Sequence, residues 1–155
     1  MGASYIAVSE PVDAKRKKAI ALGADAVFDS GRIDDSDLHR CRFNKVIECS
    51  GNHRAVETAV AACADCGTVM LFGLTKPDFE FKIKPFELFK RELTIMASYI
   101  NPGTMSDAVD MLSSGIIQTS PLIAKVIGLD SLPDYLGKPD VLANGKILVC
   151  PEESK

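Results

Sequence analysis

Asn44-Lys45-Val46-Ile47-Glu48-Cys49 is a short, largely apolar run, closed by Ser50-Gly51-Asn52. His53 to Ala64 then sets Ala55, Val56, Ala59, Val60 and Cys63 at helical spacing. Gly67-Thr68-Val69-Met70-Leu71-Phe72-Gly73 returns to an apolar run between glycines. Strand, helix and strand in so few residues form a βαβ unit, whose two strands must lie parallel. The pattern repeats outward. Tyr5 to Val8 reads as a strand, Glu10-Pro11-Val12-Asp13 as its end with Asp13 as a helix N-cap, Ala14 to Leu22 as a helix, and Ala26 to Phe28 as a strand. Gly23 stands where a helix C-cap glycine belongs.

On the other side, Pro85 to Lys90 reads as a short helix, Glu92 to Tyr99 as a strand, and Met105 to Ser114 as a helix ending at Gly115. Leu122 to Ile127 and Lys146 to Val149 are further strand candidates. Asp29 to Arg42 is a polar connection with room for a short helix. The expected fold is α/β, a doubly wound and mostly parallel sheet.

The chain has 155 residues, 46% hydrophobic and 25% charged, with a net charge of −3. That balance argues against a nucleic-acid binder or a basic membrane-surface protein. No apolar run approaches the ~20 residues a spanning helix needs. The N-terminus reads as no signal peptide, so a cytoplasmic protein is expected. Its five cysteines are Cys41, Cys49, Cys63, Cys66 and Cys150, an odd number that suits reduced thiols. Cys63-Ala64-Asp65-Cys66 has the CxxC spacing. A zinc site needs four ligands, and only His39 and His53 are available to join this pair. Structural cysteines are therefore the expectation, ahead of a redox pair or a bound metal.

In open parallel sheets, ligands bind beyond the carboxyl ends of the strands. Those ends are Glu10, Asp29, Ser50-Gly51, Gly73 and Ser98 to Asn101. Glu10 is the sharpest. An acid ending the second strand of a nucleotide-binding unit can accept hydrogen bonds from both ribose hydroxyls of an adenosine, and it repels a 2′-phosphate. That favours NAD over NADP. The plainer alternative is a solvated carboxylate near a helix start. Lys15, one turn on, is placed to bridge to the same ribose or to form part of a solvated face with Arg16, Lys17 and Lys18. Ser50-Gly51 and Gly73-Leu74 permit close backbone approach, by a ligand or within tight turns. Lys146 is placed to neutralise a pyrophosphate or to end an edge strand. No G-x-G-x-x-G, Walker A loop or nucleophile–histidine set is present, so no catalytic residue and no metal ligand is expected in this chain.

The blocks Val8-Ser9-Glu10-Pro11, Leu22-Gly23-Ala24-Asp25, Val46 to Asn52, Leu71-Phe72-Gly73-Leu74 and Phe86 to Ile95 come in an order that closely resembles the cofactor-binding half of zinc-dependent medium-chain alcohol dehydrogenases. The branch it resembles is that of sorbitol, butanediol and threonine dehydrogenases. Ser120 to Ile123 and Gly145 to Val149 resemble that family's closing segments.

The resemblance implies an incomplete Rossmann-type fold, without the first strand and glycine-rich loop. Residues 1–115 would be a partial NAD-binding domain, and 116–155 a segment packing back on a catalytic domain that carries the zinc. It implies Glu10 as the ribose acid with Lys15 beside it, and Ser50 on the adenosine side. Phe72, Gly73 and Leu74 would pass the nicotinamide-side ribose, Ser98, Tyr99 and Ile100 the carboxamide, and Lys146 the pyrophosphate. The proline- and glycine-bearing stretch Asp130 to Leu142 departs from the family's last helix. Hydride transfer between NAD and a secondary alcohol or polyol follows as the expected activity of the whole enzyme, with this portion inactive alone and poorly folded for want of its central strand. A homo-oligomer through the edge strand 92–99 is expected, with no nucleic-acid or membrane partner. The alternatives are a regulatory nucleotide-binding module without turnover and a methyltransferase-like S-adenosylmethionine-binding domain.

Overall fold

The computed structural model describes residues 2–32, 42–100, 103–138 and 145–151. The described strands form three sheets, every pairing parallel. β1 (Ala7–Ser9) lies beside β2 (Ala26–Phe28). β3 (Phe43–Glu48), β4 (Cys63–Leu71) and β5 (Thr94–Ala97) follow one another across a second sheet. β6 (Ile123–Ile127) lies beside β7 (Lys146–Val149). Parallel strands joined through helices, as from β1 to β2 and along β3 to β5, are the building unit of doubly wound folds. The chain divides into two compact units, Met1–Asp29 with Gly103–Lys155, and Ser30–Pro102.

In the first unit, α1 (Asp13–Ala21) joins β1 to β2. The helix opens one residue earlier than its composition suggests. Val12 takes the N-cap position without a side-chain cap, and Asp13 becomes the first helical residue. There its carboxylate meets the positive end of the helix dipole. Lys17 Nζ, 2.8 Å from Asp13 Oδ2, holds that carboxyl below its usual range. Gly23 ends the helix at φ +99°, a conformation that glycine adopts freely. This unit also carries α4 (Met105–Ser113), a 3-10 turn at Ser120–Leu122 and another at Leu129–Asp134, with Pro133 inside it.

The second unit is the βαβ segment that decides the fold, extended by α3 (Pro85–Arg91) and β5. α2 (His53–Ala62) is capped by Asn52, whose Oδ1 accepts from Arg54 N at 3.0 Å and Ala55 N at 3.4 Å. Such a cap contributes about 1 kcal/mol. Ala59, Cys63 and Val69 form the buried cluster of this unit, with Val46, Leu71, Leu93 and Ile95 packed around it.

α2 stops at Ala62, and β4 starts at Cys63, earlier than the glycine at 67 suggests. The cause is anchoring by residues distant in the chain. Cys63 pairs with Phe43, and its carbonyl accepts from the Arg91 guanidinium and from Arg42 Nη1 at 3.3 Å. Arg91 Nε also donates to Asp65 Oδ1 at 3.1 Å. The short helix expected between Asp29 and Arg42, with His39 and Cys41, lies outside the described residues. Among the described residues, no helix is long and apolar enough to cross a membrane.

Candidate functional site

The first unit places Glu10 directly beyond β1. Its backbone N–H donates to Phe28 O at 3.0 Å, so the β1–β2 ladder fixes the main chain there. Its Oε1 accepts from Val12 N at 2.9 Å. Glu10 is half-buried, and Lys15 is exposed. Lys146 opens β7, aligned with Ile123 of β6, and is also exposed.

The second unit brings the ends of β3 and β4 into backbone contact. Glu48, the last residue of β3, is only 5% exposed. Its carboxylate folds over the turn that follows. Oε1 accepts from Ser50 N at 2.7 Å and Ser50 Oγ at 2.5 Å, and both oxygens accept from Gly51 N at 3.1 Å. Its main-chain oxygen accepts from Phe72 N at 2.9 Å and Gly73 N at 2.8 Å. One residue thus ties both turns. A Cβ on Gly73 would lie 2.1 Å from Gly51 N, and a Cβ on Gly51 would lie 2.1 Å from Leu74 O. The close approach these glycines permit is that of one turn to the other. The Ser50 hydroxyl is spent inside the turn, since it also accepts from Asn52 N at 3.1 Å.

Beside these turns is a cavity of about 300 Å³, lined by Val56, Leu71, Gly73, Leu74, Thr75, Phe79, Phe81, Ala97, Ser98 and Tyr99. Gly73, Leu74, Ser98 and Tyr99 are therefore brought together at one cavity wall. Phe72 and Ile100 flank them in the chain without lining the cavity. Ile100 holds φ +46°, an outlying conformation for a β-branched residue. Phe79 and Phe81 come from a loop with no strand or helix signal. Phe79 stacks on His53, ring centroids 3.6 Å apart and planes 12° from parallel. The alternation of Phe79, Phe81 and Ile83 between Asp78 and Lys84 is the one sequence sign that this loop turns an apolar side inward.

Cys63 and Cys66 are free thiols. Burial pushes the Cys63 thiol up. Cys66 Sγ lies 3.5 Å from Glu92 Oε2, and the hydrogen bond to that carboxylate raises its pKa as well. Glu92 accepts from the thiol and so favours the protonated form. Glu92→Gln is expected to lower the Cys66 pKa and raise its alkylation rate by iodoacetamide near neutral pH a few-fold, read by mass spectrometry. An unchanged rate would show that Glu92 does not govern this thiol. Among the described residues, no three His, Cys, Asp or Glu side chains are grouped to hold a metal ion.

The sequence pattern of a family described as zinc-binding dehydrogenase matches residues 1–114. D-altritol 5-dehydrogenase of Agrobacterium fabrum is 27% identical over 114 residues, 73% of this chain and 34% of that protein. Human sorbitol dehydrogenase is 25% identical over 131 residues, 79% of this chain and 36% of that protein. A zinc-binding dehydrogenase from Sinorhizobium meliloti, solved bound to NADP, superposes with a TM-score of 0.88 at 29% identity, covering 97% of this chain and 46% of that one. The fold alone is shared with 2R,3R-butanediol dehydrogenase of Bacillus subtilis, at a TM-score of 0.82 and 20% identity, covering 97% of this chain and 44% of that one. The chain spans about a third of the length of these curated relatives.

Proposed function

From the premise that the chain belongs to the zinc-binding dehydrogenase family, we propose that it is the cofactor-binding portion of an NAD-dependent enzyme that moves a hydride between NAD and a secondary alcohol or polyol. The observation that carries this is the cavity at the carboxyl ends of β4 and β5, where Gly73, Leu74, Ser98 and Tyr99 converge. Carboxyl ends are where a parallel sheet binds its ligand. The nicotinamide ring supplies the hydride chemistry when bound. The residues of this chain orient it: Leu74 and Tyr99 cover it with apolar surface, and Gly73 and Ser98 offer backbone groups at the cavity wall.

In the first unit, Glu10 is the acid for the adenosine ribose, with Lys15 exposed one turn on. Ser50 acts through the turn after β3, and Phe72 and Ile100 hold the backbone on either side of the cavity residues. Lys146 meets the pyrophosphate. The family match sets the methyltransferase reading aside.

The zinc for which the family is named does not fit the described residues, because they offer no ligand group. Residues 116–155 pack against the catalytic part of the longer enzyme in this reading, the exposed edge of β5 pairs with a second copy, and the enzyme works in the cytoplasm.

The Sinorhizobium relative binds NADP, so nucleotide choice rests on this chain's own acid. In the 155-residue chain joined to a catalytic half from a relative, Glu10→Ala is expected to weaken NAD about 10-fold or more, as loss of hydrogen bonds to a charged group implies. NADP binding should hold or strengthen, since the variant removes a charge that repels its 2′-phosphate. Titration with both dinucleotides reads the ratio, and an unchanged ratio overturns the role of Glu10.

A further inference from the structure

We propose that Arg16 is a positioning residue that sets nucleotide choice, by fixing the Glu10 turn and by being withheld from a 2′-phosphate. This rests on the reading of Glu10 as the ribose acid. Lys15, Arg16, Lys17 and Lys18 follow one another on α1, where successive residues point about 100° apart. The Arg16 side chain is only 16% exposed, against 79% for Lys17. Its guanidinium turns back over the start of the helix. Nη1 donates to the carbonyl oxygens of Glu10 and Pro11, each at 2.7 Å. Nη2 donates to Asp13 Oδ1 at 3.3 Å, and Nη1 lies 3.8 Å from Asp29 Oδ1 at the end of β2. One planar group therefore joins the turn after β1, the first turn of α1 and the end of the neighbouring strand.

Two consequences follow for Glu10. Its backbone is held on both sides, with its N–H on Phe28 O and its carbonyl on Arg16. Its carboxylate, already resting on Val12 N, is thereby aimed before any ligand arrives. The second consequence concerns charge. A guanidinium beside a ribose is ordinarily a good partner for a 2′-phosphate. Here Asp13 and Asp29 pair with it, two carboxylates on one guanidinium. A phosphate adds close to two further negative charges at pH 7, which this corner opposes, while a vicinal diol adds none. Lysine does not replace this arrangement, because an ammonium is a point donor without the planar fork that serves two carbonyls and a carboxylate together.

The test uses the 155-residue chain joined to the same catalytic half, with Arg16→Met, Arg16→Lys and Asp29→Asn. Without ligand, amide exchange at Val12 followed by NMR is expected to quicken about 10-fold in both Arg16 variants. Circular dichroism checks that each variant is folded. In titrations, both Arg16 variants should lose NAD affinity about 10-fold, and nicotinamide mononucleotide, which lacks the adenosine, should bind as before. Asp29→Asn leaves the two carbonyl bonds in place and removes a negative charge 3.8 Å from Nη1. It should gain several-fold in NADP affinity while keeping Val12 protected. Unchanged Val12 exchange in Arg16→Met, or full recovery in Arg16→Lys, overturns the positioning role. No gain of NADP affinity in Asp29→Asn overturns the withholding role. If Glu10→Ala leaves the NAD to NADP ratio untouched, the ribose reading fails, while Val12 exchange still decides whether Arg16 holds the turn.

Discussion

Gly73→Ala is expected to destabilise the chain by at least about 3 kcal/mol, the upper end for a group forced into filled space. The added Cβ would stand 2.1 Å from Gly51 N, 2.6 Å from Glu48 Oε2 and 2.8 Å from Cys49 C. Two of these are backbone atoms, which no rotamer change relieves. Gly51 holds φ +66° and is itself hemmed in by Leu74 O, so the turn after β3 has nowhere to retreat. Gly2→Ala is the control, since a Cβ there meets nothing within 4 Å. It should stay within about 0.5 kcal/mol of the parent. Urea unfolding of both variants measures the difference, and a Gly73→Ala curve lying on that of Gly2→Ala would refute the packing account.

Glu48→Ala ranks second, at about 3 kcal/mol, as expected when donors to a charged group lose it in a buried place. For a chain of this size that lowers the melting temperature by about 10 °C. Ser50 N–H, the Ser50 hydroxyl and Gly51 N–H are left without their acceptor. The main-chain bonds from Phe72 and Gly73 to Glu48 O persist, so the damage falls on the turn and not on the β3–β4 ladder. Glu48→Gln keeps an acceptor oxygen and should lose less than half as much. Thermal melts of the two variants report this, and equal losses would show that the carboxylate's bonds are not what the turn depends on.

The alternation of strands and helices around residues 44–73 was enough to read a parallel sheet, because apolar period and glycine brackets are local properties. What lay beyond the sequence was which side of a residue would be covered. Ile47 and Glu48 show this best. Composition puts the isoleucine inside and the glutamate in water. The structure leaves Ile47 65% exposed and buries Glu48, because three donors of the following turn converge on its carboxylate. The same applies to the basic run on α1. Four cations in sequence look like one solvated face, and only the fold shows that Arg16 turns inward. The boundary of β4 was misplaced for a related reason, since the anchor at Cys63 is an arginine 28 residues away. That Glu10, Gly73, Leu74, Ser98 and Tyr99 follow strand ends was legible, because strand ends are predictable once strands are. Phe79 and Phe81 were not, because a loop's path depends on what it packs against.

The abutting glycines after β3 and β4 have a mechanical consequence. Where two turns meet through side chains, a rotamer can yield and absorb a push. Here main chain bears on main chain, with only the Glu48 carboxylate packed beside the contact. A displacement imposed at Gly73 bears directly on Gly51, and from there on Asn52, the cap of α2. The rim of the cavity and the start of that helix therefore move as one stiff edge, so that pressure at the cavity is felt a full turn away without any side chain having to relay it.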